Sequence, residues 1–321
     1  MSEFLLIAGG LVLLAIGGDV LVRGAVGTAS KLGVSPLLIG LVLVGFGTSM
    51  PELTTSVQAA LSGSPGIAVG NVVGSNIANI LLILGAAALI APITVARGVL
   101  KRDGSFLALS QIALAMALFL TPVGRTSGGM LFAGLIAYIG LSYWFDQRSK
   151  GPEARLHSAE AESVAPPKGG LLVSLLLLAA GIAGVVFGAK LLVTGAISIA
   201  EGFGISDAVI GLTVVAIGTS LPELAASIAA ALKRQGDIAL GNVIGSNIFN
   251  ALGILGATAI IQPIDVPASI LGSDVWIMLG AAALLFLVAA TGRRVGRMEG
   301  VGLLVLYAAY TGWLAYGSLA A

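Results

Sequence analysis

Two acidic side chains stand where acids are least expected. Glu52 lies midway along an apolar run from Leu37 to Leu61, and Glu223 lies likewise between Val209 and Leu232. Around each is a row of oxygen donors. Thr48, Ser49, Ser75, Thr219, Ser220 and Ser246 carry hydroxyls, while Asn71, Asn76, Asn79, Asn242, Asn247 and Asn250 carry amides. Pro51 and Pro222 lack an N–H, so each frees a carbonyl one turn upstream, near Gly47 or Gly218. Carboxylate, carbonyl, hydroxyl and amide oxygens are what Ca2+ takes, with 6–8 ligands in flexible geometry, and they also suit Na+. The chain has no cysteine, and its one histidine, His157, reads as a solvated loop residue. Soft transition metals therefore lose their preferred ligands.

The polar set occurs twice. Gly47-Thr48-Ser49-Met50-Pro51-Glu52-Leu53 returns 171 positions later as Gly218-Thr219-Ser220-Leu221-Pro222-Glu223-Leu224. Gly70-Asn71-Val72-Val73-Gly74-Ser75-Asn76-Ile77-Ala78-Asn79 returns as Gly241-Asn242-Val243-Ile244-Gly245-Ser246-Asn247-Ile248-Phe249-Asn250. Residues 47–85 and 218–256 align without a gap, with 24 of 39 positions identical. A weaker match extends upstream, from Val20-Leu21-Val22 to Leu191-Leu192-Val193, and sets Lys190 where Asp19 stands. Asp19 and Arg23 are four apart and able to pair on a helix.

The elements that must hold these residues are membrane helices. The chain is 57% hydrophobic and 10% charged, against about 25% charged for a soluble domain. Long continuous apolar runs without period-two alternation argue against a β-barrel. Ten spans fit, at about 3–22, 36–61, 66–90, 104–121, 127–145, 170–190, 206–232, 237–261, 273–291 and 300–318. The expected fold is an all-α polytopic membrane protein. It has two five-helix repeats, 1–145 and 170–321, joined by a charged, flexible linker at 146–169 that begins with Asp146. The first apolar stretch has no basic residue before it and reads as a retained helix, not a leader.

Five spans per half is an odd number, so the second copy sits upside down. Inverted repeats are the plan of many secondary transporters. Fourteen of the sixteen Lys and Arg fall on one side, leaving Arg125 and Lys190 on the other. By the positive-inside rule the fourteen face the cytoplasm, with the linker, and both termini face outward. In helical geometry Ser75, Asn76 and Asn79 return to the depth of Glu52 after the turn at Ser62–Pro65, and the inverted copy brings Glu223, Ser246 and Asn250 to that depth from the other side. Asn79 and Asn250 are expected to face the cavity. Asn71 and Asn242 are expected to hydrogen-bond backbone.

These paired G-T-S-x-P-E-L and G-N-V-x-G-S-N-I motifs closely resemble the alpha repeats of sodium/calcium exchangers, within the calcium/cation antiporters. In that family the second, third, seventh and eighth spans form the ion site, and the first and sixth form a sliding pair. The resemblance implies Ca2+ ligation by Glu52, Glu223, Thr48 and Thr219. It also implies Na+ sites that add Ser49, Ser75, Ser220, Ser246 and the carbonyl of Ala216, matched in the first copy by Gly45. Many members carry aspartate where Asn79 and Asn250 stand here, so the fixed charge of this site is −2, from Glu52 and Glu223 alone.

The leading expectation is a Na+/Ca2+ antiporter in a prokaryotic-type plasma or inner membrane. A H+/Ca2+ antiporter using the same glutamates is the nearest alternative, and K+ is a further candidate ion. A cation channel and a non-transporting scaffold are the readings from other classes. No resident cofactor, nucleic-acid partner or protein partner is expected, and no nucleotide loop or catalytic constellation is found.

Overall fold

The computed structural model describes residues 2–95, 97–148, 169–202 and 216–320. They form helices almost throughout. In chain order these are α1 (Ser2–Leu32), α2 (Pro36–Thr48), α3 (Met50–Leu61), α4 (Pro65–Ile90), α5 (Ser105–Phe119), α6 (Arg125–Arg148), α7 (Leu171–Gly202), α8 (Ala216–Thr219), α9 (Leu221–Leu232), α10 (Gly236–Ile261), α11 (Val275–Gly292) and α12 (Arg297–Ala320). Two strands of two residues, β1 (Ile93–Thr94) and β2 (Arg294–Val295), complete the set.

Among the described residues seven helices are long and apolar enough to cross a bilayer, and the bent pair α2–α3 makes an eighth. α5 has 15 residues and α9 has 12, both short of the ~20 that a span needs. A helical turn at Arg97–Val99 and a π-helical turn at Leu100–Gly104 lead into α5. The upstream part of the expected span 206–232, through residue 215, lies outside the described residues, as do His157 and 149–168 of the linker.

The α2–α3 break follows from sequence. Ser49 leaves helical geometry (φ −84°, ψ 10°), Pro51 is the second residue of α3, and the two axes differ by 43°. Ser220 does the same before Pro222 (φ −89°, ψ 6°). Each break begins a new helix with a glutamate in its first turn. The unsatisfied N–H groups there favour an anion.

α1 and α7 run well past their expected ends at 22 and 190. At 31 residues, α1 is ~46 Å long, more than the ~30 Å of hydrocarbon. Arg23, just past the expected end, is neutralised within the helix. Its Nε lies 2.8 Å from Asp19 Oδ2, and Lys233 pairs with the other oxygen of Asp19. The two long helices lie against each other along much of their length. Glycines allow it: a Cβ on Gly24 would stand 2.3 Å from Leu178 N, and one on Gly181 2.3 Å from Leu21 N.

The all-α expectation needs one small correction. α4 and α10 both end in Ile, one residue and a proline: Ile90-Ala91-Pro92-Ile93 and Ile261-Gln262-Pro263-Ile264. Proline forces the preceding residue into extended backbone, and Ala91 (φ −140°) and Gln262 (φ −138°) comply. The extended segments pair antiparallel, Ile93 with Val295 and Ile264 with Val123. Each pairing ties residues from opposite halves of the chain.

A second correction concerns the linker. Asp146 belongs to α6, and its carboxylate accepts hydrogen bonds from Ser35 N–H (3.0 Å) and Ser35 Oγ. Ser35 Oγ in turn accepts from Leu38 N–H and caps α2. The end of α6 is thus fastened to the start of the helix that leads to Glu52. Arg148, also helical, stacks on Trp144 at 4.0 Å.

Candidate cation site

The two glutamates are almost completely buried, at 1% exposure each, and they are held crosswise. Ser49 Oγ donates to Glu223 Oε1 at 2.7 Å, and Ser220 Oγ donates to Glu52 Oε1 at 3.3 Å. Each serine stands three residues before the glutamate of its own copy, yet bonds the glutamate of the other. The two helix breaks therefore face each other, and the carboxyl groups meet between them.

An asparagine clamps each acidic turn. Asn71 Nδ2 donates to the Glu52 carbonyl (3.1 Å) and to Ser56 Oγ (2.9 Å). Asn242 Nδ2 donates to the Glu223 carbonyl (3.1 Å) and to Ser227 Oγ (2.8 Å). The backbone role expected of these asparagines is what the structure has. Ser56 and Ser227 went unnoticed in the sequence, although each follows its glutamate by four residues and the pair keeps the offset of 171.

Hydrogen bonds place several of the other predicted donors. Thr48 Oγ1 donates to Val44 O (3.0 Å) and lies 3.3 Å from Asn242 Oδ1. Ser246 Oγ donates to the Gly45 carbonyl at 3.2 Å. Asn250 Nδ2 donates to Ser75 Oγ at 2.9 Å, joining α10 to α4. Ala216 opens α8, which ends at the half-buried Thr219 just before Ser220. Asn79 opens a π-helical turn at Asn79–Ile83, and Asn250 lies in its counterpart at Phe249–Ile254. Such one-turn bulges are frequent at functional sites.

Four oxygens of the predicted set are buried without a hydrogen-bond partner: Glu52 Oε2, Glu223 Oε2, Asn79 Oδ1 and Asn250 Oδ1. Unmatched buried oxygens are costly in an apolar interior. Unmatched carboxylate and amide oxygens of this kind suit a hard cation that takes oxygen ligands. Among the described residues no group of three or more His, Cys, Asp or Glu assembles, so the charge comes from the glutamate pair.

Asn76 and Asn247 engage a different group. Asn76 Nδ2 lies 3.4 Å from Gln111 Oε1, and Gln111 Nε2 lies 3.4 Å from the Asn247 carbonyl. Gln111, a lone amide in the apolar run of α5, is a buried tie the sequence reading passed over.

The sodium/calcium exchanger protein family matches this chain over residues 2–144 and again over 173–316. The chain belongs to the sodium/calcium exchanger family. It is 42% identical over 306 residues to CaxA of Alkalimonas amylolytica, covering 94% of this chain and 95% of that protein. It is 36% identical over 339 residues to the sodium/calcium exchanger MaX1 of Methanosarcina acetivorans, covering 96% and 97%. The solved structure of the sodium-calcium exchanger NCX_Mj soaked with Na+ and Sr2+ superposes with a TM-score of 0.81 at 34% identity, over 95% of this chain and 96% of that one. As an exchanger-family member the chain is a multi-pass membrane protein of a family of cation transporters. The ions that this family exchanges are Na+ and Ca2+.

Proposed function

We propose that the chain exchanges Na+ for Ca2+ across the membrane by alternating access at the Glu52–Glu223 site. The observation that carries this reading is the crosswise pairing of Ser49 with Glu223 and of Ser220 with Glu52. It gives one site two carboxylates, with the oxygens of Asn79 and Asn250 and the hydroxyls of Thr48, Thr219, Ser75 and Ser246 as neutral ligands. The carbonyls of Gly45 and Ala216 extend the set for Na+.

The fixed charge of −2 balances one Ca2+ or two Na+. Competing ions draw on one set of oxygens, so the site cannot hold both in full. An empty site of that charge is expensive to carry through a dry barrier, and a loaded one much less so. That difference couples the two fluxes. The frame for this motion is ten spans in two inverted five-helix repeats, 1–145 and 170–321, with α1 and α7 sliding over the core. The linker lies in the cytoplasm and both termini lie outside.

Carboxyl groups can also take protons, so H+/Ca2+ exchange at the same glutamates is the second reading. Proteoliposomes loaded in turn with Na+, K+ or acid distinguish the two. An outward Na+ gradient is expected to drive radioactive calcium uptake, while a pH gradient or K+ gradient alone leaves it near the leak. Uptake driven by the pH gradient and indifferent to Na+ would overturn the Na+ reading.

A further inference from the structure

We propose a binding site for an anionic phospholipid on the face formed by the α11–α12 turn and α12, apart from the ion site. Its headgroup end is the turn at residues 293–297. Arg293, Arg294 and Arg297 are all exposed there, and none forms an ion pair among the described residues. Arg293 sits in the left-handed region (φ 52°), costly for a residue with a Cβ, and β2 begins at the next residue. Arg297 Nη2 reaches the Ile90 carbonyl at 3.4 Å, at the end of α4.

One acid is near, Glu299, whose carboxylate folds back over Gly296. Three arginines against one glutamate leave the turn at +2. The equivalent bridge at the other end, Val123 with Ile264, is flanked by one arginine, Arg125, and one aspartate, Asp265. The linker stretch 149–168 carries three cations and three acids, so it offers the patch no net complementary charge. Guanidinium groups at the ends of membrane helices are matched to lipid phosphate, which they bind through paired N–H donors.

The tail end is a stripe down α12. Met298, Gly302, Leu306, Tyr310 and Trp313 follow at spacings of four, four, four and three, one face of a helix. Met298 is 80% exposed. At Gly302 a Cβ would meet nothing within 4 Å. Below it, Leu306, Tyr310 and Trp313 line a cleft of about 320 Å³ with Leu81, Ile277 and Ala281. The Tyr310 hydroxyl is spent on Asp274 Oδ1 at 2.9 Å. Leu306 lies nine residues below Arg297, ~14 Å along the axis, and one leaflet's hydrocarbon is ~15 Å deep. An acyl chain hung from a phosphate at Arg297 therefore ends in the cleft. Leu81 belongs to the π-helical turn that Asn79 opens, so the lipid lies behind one wall of the ion site.

Native mass spectrometry of the purified full-length protein tests this, with phosphatidylglycerol and phosphatidylcholine of identical acyl chains titrated separately. The wild type is expected to retain phosphatidylglycerol about tenfold better. The double variant R294Q/R297Q should lose that preference and R294K/R297K should keep most of it. Gly302→Leu, at an open position, should weaken retention of both lipids, and soluble glycerol phosphate should not compete. A wild type that holds both lipids equally would overturn the proposal. So would a preference unchanged in R294Q/R297Q, or a lipid-free dimer formed through this face.

Discussion

Replacing Glu52 or Glu223 by glutamine is expected to cut Na+-driven calcium uptake in proteoliposomes by about a hundredfold or more. At 4 Å, two unit charges interact by about 4 kcal/mol at an effective dielectric of 20, and a divalent ion doubles the stake. Even part of that exceeds the ~2.8 kcal/mol that a hundredfold represents. Glutamine keeps the shape and an oxygen for the serine bonds, so Ser220 still has a partner in Glu52→Gln and Ser49 in Glu223→Gln. The variants should therefore fold, which a monodisperse elution profile would verify. Because the crosswise bonds treat the two acids alike, the two losses should be similar. Wild-type uptake in either variant would remove that residue from the site.

Gly245→Ala is expected to damage the protein as severely, by a different route. A Cβ at Gly245 would lie 2.0 Å from the Leu41 carbonyl oxygen and 2.7 Å from Leu41 C and Cα. These are backbone atoms and cannot step aside. Gly241 adds a second close approach, 2.6 Å from the Leu37 carbonyl. The added methyl must lever α10 away from α2, which also stretches Ser246 Oγ from Gly45 O and Thr48 from Asn242. Overpacking of this kind costs about 1–3 kcal/mol, occasionally more. A thermal shift assay should show a melting point lower by several degrees, with uptake lost in the fraction that remains folded. Gly140→Ala is the control, since a Cβ there meets nothing within 4 Å. Equal melting points for the two variants would refute the tight α2–α10 contact.

The site was legible because the repeat marked it. Hydroxyls, amides and a carboxylate recurring at one offset in an apolar chain have little reason to be there except to face one another. Composition and the breaks at Pro51 and Pro222 gave the helices and their interruptions. The crosswise pattern was not legible, because the partner of Ser49 is 174 residues away and only the fold brings it near. Asp146 was misread for a related reason. A carboxylate in a charged stretch looks solvated until Ser35 is seen to bond it. The first span was expected to stop at residue 22, just before Arg23, but a cation paired to Asp19 costs a helix little to carry onward. The spans expected to end at 90 and 261 do so, yet the extended residues that follow needed the opposite half of the chain to pair with.

The central claim is that both glutamates face a single ion. Crystals of the protein soaked in Sr2+, a heavier stand-in for Ca2+, test it most directly through the anomalous signal. The account predicts one strong peak within coordinating distance of both Glu52 and Glu223, fading as Na+ is raised in the soak. A peak bound to one glutamate alone, or one unchanged by Na+, would contradict it.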